Sequence, residues 1–285
     1  MKSVLVTGAT GNVGELVVGQ LLARGESVKA AVRPGRSTRL PGSARDVGFD
    51  FEDPATFAQA LEGVDRVFFM RPPQMSDAKA MSPFIEAMCS AGIRHVVFLS
   101  VQGAGQNPFV PHHGIETLLK KSGLNWTFLR PSFFMQNLAT THLADIRDRG
   151  EIFVPAGRGK TNFIDVADIA DAAAICLTTP GHEGAAYELT GSEALTYEQV
   201  AAVLSEACDR PINYARPSAR QFKARMKAEG HPDEFVSVMG SIYAIAKLGM
   251  AAGTTDDFER LVGRAPVTFA DWASRNAACF DIQPA

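Results

Sequence analysis

The segment Gly8-Ala9-Thr10-Gly11-Asn12-Val13-Gly14 constrains this 285-residue chain more than any other. A β-branched run, Ser3 to Thr7, precedes it, and Val13 to Arg24 follows at helical spacing until Gly25 stops it. At such a strand–turn–helix junction each glycine has its own task. Gly8 permits the tight turn, Gly11 lets the backbone approach a ligand, and Gly14 lets the helix pack closely on the strand. The helix N-terminus then presents unpaired N–H groups and the positive end of its dipole, which suit a pyrophosphate. A dinucleotide is the expected ligand, held by Gly8, Thr10, Gly11, Asn12, Val13 and Gly14.

The pattern downstream agrees with this start. Ser27 to Val32, Asp46 to Phe51, Asp65 to Met70, Ile93 to Ser100 and Asn125 to Arg130 read as further strands. Helices are predicted between them over Pro54 to Gly63, Asp77 to Ala91 and His113 to Ser122. Strands alternating with helices predict right-handed βαβ units, and strands apolar on both faces require helices on both sides. The fold class is therefore α/β, a Rossmann doubly wound parallel sheet over residues 1–155, with helix 165–179 packing back on it. Residues 156–285 are expected to form a smaller, helix-rich α/β domain that binds substrate. It is predicted to contain strands at Ala186–Thr190 and Ile212–Ala215. Helices are expected at Tyr197–Cys208, Ala219–Glu229, Asp233–Lys247, Asp256–Val262 and Phe269–Cys279.

Nicotinamide dinucleotides differ at the ribose 2′ position, read about 20 residues after the glycines. The second strand ends Ala31-Val32-Arg33 with no carboxylate, and Arg36 and Arg39 follow. Arg33 suits a 2′-phosphate, so NADP(H) is favoured over NAD(H). Asp50 is placed to accept from the adenine amino group, with Phe51 near the ring. Met70, Arg71, Ser100 and Val101 end the fourth and fifth strands, on the rim where ligands of open α/β sheets lie. Arg71 suits a phosphate or the nicotinamide amide equally. Pro131, Ser132 and Phe133 close the cofactor side after the sixth strand.

Other classes are disfavoured. A net charge of −3 gives no positive field for nucleic acid or an anionic membrane surface. The apolar stretches fall short of the roughly 18 residues of a membrane helix, and the start is too short an apolar run for a signal peptide. The four cysteines are scattered with no CxxC pair, which fits a reduced, cytoplasmic setting. No metal-ligand spacing is present, and Asp165 and Asp168 are read as capping and solvating their helix. The sequence leaves a homodimer open.

The glycine turn, the strand end with Arg33 and the stretch Thr127-Phe128-Leu129-Arg130-Pro131-Ser132-Phe133-Phe134-Met135-Gln136-Asn137-Leu138 together resemble the NmrA-like atypical short-chain dehydrogenase/reductases. Gly181-His182-Glu183-Gly184-Ala185-Ala186-Tyr187-Glu188-Leu189-Thr190-Gly191 extends the resemblance. The last hundred residues, with Gly230-His231-Pro232-Asp233-Glu234-Phe235 and Thr254-Thr255-Asp256-Asp257-Phe258, are similar to two bacterial members. These are the type 2 NAD(P)H:quinone oxidoreductase and triphenylmethane reductase. The resemblance implies an NAD(P)H-dependent oxidoreductase, or, since the family includes redox sensors, a dinucleotide-binding regulator with little catalysis.

Ordinary short-chain dehydrogenases place Tyr-x-x-x-Lys on the helix after the fifth strand. The four tyrosines here, Tyr187, Tyr197, Tyr214 and Tyr243, all lie elsewhere. His112-x-x-x-Glu116 occupies the corresponding stretch, with both side chains on one helical face. Reducing a simple ketone creates an alkoxide that needs a proton donor in the transition state. Quinones, cationic dyes and iminium ions need less help, so a quinone-like or other conjugated aromatic acceptor is expected. His112 is the one catalytic candidate, as proton donor or ribose ligand, with ordering of its loop as the plainer role. The C-terminal domain is expected to roof the crevice with Phe134, Met135, Asn137, Phe235, Met239 and Tyr243. The last three recur at i, i+4 and i+8, a stripe that serves equally as core. A secondary-metabolite reductase is a third reading.

Overall fold

A computed structural model describes residues 2–35 and 42–281. Its first half alternates as the pattern requires. The elements are β1 (Ser3–Val6), α1 (Asn12–Ala23), β2 (Val28–Val32), β3 (Arg45–Gly48), α2 (Phe57–Leu61), β4 (Val64–Met70), α3 (Ser82–Ser90), β5 (His95–Leu99), α4 (Pro111–Lys121) and β6 (Asn125–Pro131). Next come β7 (Phe133–Phe134), α5 (Leu143–Arg149), β8 (Glu151–Ile152), β9 (Lys160–Ile164), α6 (Val166–Thr178) and β10 (Ala185–Leu189). The remainder is β11 (Ala194–Thr196), α7 (Tyr197–Ala207), β12 (Asn213–Tyr214), α8 (Ala219–Ala228), α9 (Asp233–Lys247), α10 (Asp257–Val262) and α11 (Phe269–Asn276).

These elements form two compact units. The first comprises Met1–Pro131, Val166–Leu189 and Asp257–Arg264. Its parallel sheet has seven strands in the order β10-β6-β5-β4-β1-β2-β3. Successive residues of β1 serve opposite faces. Leu5 joins a core with Phe57 of α2, Phe84 of α3 and Ile115 of α4. The opposite face is covered by α1 and α6, which pack against each other. Strand order reverses between β1 and β4, which opens a crevice at their C-terminal ends.

The division departs from a single boundary at residue 155. The chain leaves the first unit after Pro131 and returns twice. The first return follows from β10 pairing with β6 in parallel register, Leu189 opposite Pro131, with α6 inside the crossover. In the second, Arg264 Nη2 lies 2.8 Å from Asp168 and 2.5 Å from Asp171. Asp168 is fully buried, so it is an ion-pair partner rather than a solvated helix-start residue. β3 also ends earlier than predicted, at Gly48. Phe49 and Phe51 turn into an aromatic cluster with Phe84, at ring separations of 4.9 and 5.4 Å.

The second unit comprises Ser132–Asp165, Thr190–Asp256 and Ala265–Ala285. A three-stranded sheet, β11-β9-β7, and a two-stranded one, β12-β8, underlie its helices. Strands of two or three residues are too short for alternation to reveal. α7 and α8 start where they were predicted to, and reciprocal capping boxes of Thr196 with Gln199 and Ser218 with Gln221 fix those starts. No helix among the described residues is long and apolar enough to cross a membrane.

Candidate functional site

The glycine turn has the geometry its spacing implies. Gly8 sits at φ +63°, a left-handed conformation that side chains disfavour, and a Cβ there would also strike the Met70 methyl. A Cβ on Gly14 would lie 2.1 Å from the Gly8 carbonyl oxygen, so α1 approaches β1 as only glycine allows. Gly11 is the N-cap of α1 and has no side chain to cap it, leaving the helix start open to a ligand. Val13 and Gly14 are buried beneath the turn, while Thr10 and Asn12 are exposed.

A cleft of about 320 Å³ opens above this turn, in the crevice between β1 and β4. It brings together eight of the predicted cofactor residues: Gly8, Thr10, Gly11, Arg33, Asp50, Phe51, Met70 and Arg71. Arg33 is exposed at the end of β2, and Arg36 and Arg39 lie outside the described residues. Asp50 is partly engaged, its Oδ1 accepting from the Glu52 N–H at 3.0 Å. Arg71 is held firmly. Its Nη1 donates to the carbonyls of Pro72, Pro73 and Met75 at 2.8, 3.0 and 2.7 Å. Burial pushes the guanidinium pKa down from its usual value. A larger polar hollow of about 450 Å³ sits at the opposite, N-terminal end of the strands. Its Arg66 and Arg94 are engaged by Asp65, so it lacks free binding groups of that kind.

Beyond the cleft, the ends of β5, β6 and β10 are tied by a buried network that sequence reasoning missed. Glu116 of α4 accepts from Ser100 Oγ at 2.7 Å and from Arg130 Nε and Nη2 at 2.9 and 2.6 Å. Arg130 Nη1 reaches Glu188 of β10 at 3.2 Å, and Glu188 accepts from the Gly103 N–H at the same distance. Gly105 abuts the Arg130 guanidinium, where a Cβ would lie 2.6 Å from Nη2. His113 Nδ1 is 2.7 Å from the Ala104 carbonyl, so His113 orders this loop rather than His112. Ser100 is thus committed to Glu116, and Val101 begins the clamped loop.

His112 lies at the start of α4, its ring 6.0 Å from that of Phe98. Burial, aided by the Arg71 charge and opposed by Glu116, holds its pKa down at about 4. The imidazole is therefore neutral at neutral pH, able to share a hydrogen bond but poorly suited to deliver a proton.

The fold agrees with comparisons to known proteins. A family described as NAD(P)H-binding matches residues 8–180. The chain belongs to that family. Its relatives are those of an NmrA-like, atypical short-chain dehydrogenase/reductase. The NAD(P)H azoreductase of Xenophilus azovorans is 38% identical, covering 97% of this chain and 99% of that protein. The NADPH complex of quinone oxidoreductase QOR2 from Escherichia coli superposes with a TM-score of 0.86 at 27% identity, covering 95% and 99% of the two chains. The Citrobacter triphenylmethane reductase complexed with NADP(H) gives 0.81 at 26% identity, covering 96% and 99%.

In this NAD(P)H-binding protein the remaining predicted residues are spread over both units. Pro131 is buried at the end of β6. Ser132 is buried in the second unit, where its Oγ donates to Asn162 Oδ1 at 2.7 Å. Phe133 stacks edge-on against Phe163 at 6.3 Å. Phe134 and Asn137 are half-buried, whereas Met135 and Tyr243 are core residues of the second unit. The Tyr243 hydroxyl is hydrogen-bonded to His142, and Met239 packs against the same core. The stripe on α9 is thus largely structural, and only Phe235 of the three remains exposed.

Proposed function

We propose that the protein is an NADPH-preferring oxidoreductase that reduces a quinone-like or other conjugated acceptor without a Tyr-x-x-x-Lys pair. The coarser statement, an NAD(P)H-dependent oxidoreductase, accords with the family and with relatives named azoreductase and quinone oxidoreductase. One observation carries the finer reading. The helix where an acid would stand offers His112, uncharged at neutral pH, and Glu116, fully occupied by Ser100 and Arg130.

The glycine turn and the α1 N-terminus bind the pyrophosphate, and Arg33 recognises a 2′-phosphate through charge-assisted hydrogen bonds. Asp50 and Phe51 flank the adenine. When bound, the reduced nicotinamide supplies a hydride. Val101 and His112, in the same unit, are the residues assigned to its end of the cofactor. His112 orients through a neutral hydrogen bond, and protonation of the reduced acceptor is left to water. Within the second unit, Phe134, Asn137 and Phe235 are the predicted side chains that keep exposed surface for a flat acceptor.

Anaerobic stopped-flow mixing of the NADPH-loaded protein with a panel of quinones, azo compounds and imines tests this. Rapid loss of NADPH absorbance with quinones is expected. Tight NADPH binding with no oxidation by any acceptor would contradict it and favour a redox sensor, whose partner affinity must then differ between NADP+ and NADPH.

A further inference from the structure

Two cations bracket the glycine turn. The sheet order β4-β1-β2 puts β1, and the turn that follows it, between the strands that carry them. Arg33 is exposed at the end of β2. Arg71 follows β4 on the other side, and both line the cleft with Gly8 and Gly11. The β4 end is fastened to the turn: the Met70 N–H donates to Thr7 Oγ1 at 2.8 Å, and the Met70 methyl lies against Gly8. One nitrogen alone anchors the Arg71 side chain, since Nη1 makes all three bonds to the carbonyls of Pro72, Pro73 and Met75. Its Nε is buried with no hydrogen-bond partner among the described residues. Asp50 and Glu52, the carboxylates on the cleft, form no ion pair with it. Carbonyls fix a guanidinium without cancelling its charge, and a desolvated cation with an unused donor is expensive to keep. Such a group is kept where an anion completes it.

We propose that Arg71 reads the cofactor's diphosphate, holding through its Nε–Nη2 edge the phosphate on the nicotinamide side. The cleft is then a site for nucleoside 5′-diphosphates rather than 5′-monophosphates. The inference rests on the dinucleotide reading of the cleft. Arg33, Asp50 and Phe51 mark the adenosine end, on the β2 and β3 side, so the two phosphates run from there across the turn towards β4. The first meets the open N–H groups at the start of α1, and the second meets Arg71. The Nε–Nη2 edge of a guanidinium carries two parallel N–H donors that match two oxygens of one phosphate. With Nη1 spent on carbonyls, the loop aims that edge before the ligand arrives, so little side-chain entropy is lost on binding. The nicotinamide amide, the other group an arginine here could meet, is neutral and would leave the charge uncompensated.

Arg71→Met and Arg71→Lys are titrated calorimetrically, beside the wild type, with NADPH, NADH, 2′-phospho-ADP-ribose and adenosine 2′,5′-bisphosphate. The third ligand lacks the nicotinamide, and the fourth lacks the second phosphate as well while keeping the 2′-phosphate. For Arg71→Met the Kd of the first three should rise by a common factor of about 10 to 100, as expected when charge-assisted hydrogen bonds are lost. The Kd of adenosine 2′,5′-bisphosphate should stay within about threefold. A factor shared by NADPH and NADH separates Arg71 from Arg33, whose loss should fall on NADPH alone. Arg71→Lys keeps the charge but offers no fork, and should lose about three- to tenfold on the same three ligands. Losses on NADPH and NADH but not on 2′-phospho-ADP-ribose would overturn the proposal and assign Arg71 to the nicotinamide amide. Equal losses on all four would also overturn it, leaving Arg71 as the anchor of its loop. If Arg71→Met fails to fold, the lysine variant decides, and unchanged affinity for the diphosphates contradicts the idea. Turnover plays no part here, so a protein that reduced no acceptor would overturn the proposed function and leave the result on Arg71 standing.

Discussion

Three of the predicted site side chains stand in sharply different environments. Arg33 is exposed, Arg71 is pinned to its own loop, and His112 is held neutral by burial. Arg33→Ala should raise the Kd for NADPH by about 10- to 100-fold and leave NADH within about threefold, as fluorescence titration would show. Equal weakening of both would show that Arg33 does not read the 2′-phosphate. His112→Gln keeps a neutral hydrogen-bonding group, so kcat should change by about tenfold or less. A much larger loss, restored by no neutral side chain, would identify His112 as a true proton donor. Gly8 and Gly14 were legible because their roles depend on backbone geometry and chain position alone. The capture of Arg71 by three carbonyls was not, since local spacing does not reveal where a guanidinium is anchored.

At the scale of elements, the first βαβ half was readable from periodicity, and β10 was recognised as a strand but not as the seventh of the main sheet. Its place depends on pairing with β6, a contact between distant residues that no local pattern encodes. The same limit hid the Ser100–Glu116–Arg130–Glu188 network, whose members come from four separate elements or their ends. Arg130→Leu should destabilise the protein by about 3 to 5 kcal/mol, because two carboxylates lose their shared cation. The Glu116→Gln/Arg130→Leu double variant should lose less than the sum of the single losses, measured by urea unfolding. Additive losses would mean the groups are not coupled. Gly105→Ala should also destabilise, since its Cβ would press on the Arg130 guanidinium.

For the whole molecule, the buried histidines make stability depend on pH. His112 and His142 each have a folded-state pKa of about 4, against an ordinary value of 6.5. Between those values the unfolded chain binds more protons, so stability should fall as pH drops from about 6.5 to about 4, by about 3 kcal/mol for each histidine, with no further loss from these groups below that. Urea midpoints that stay flat across that window would contradict the assignment. The central claim concerns hydride transfer without an ionising acid. It is tested most directly by the single-turnover oxidation of 4-deuterated NADPH by menadione, followed from about pH 5 to about pH 8. A primary isotope effect with a rate constant nearly independent of pH is predicted. A rate that titrates with a pKa between about 6 and about 8, or no oxidation at all, would contradict the account.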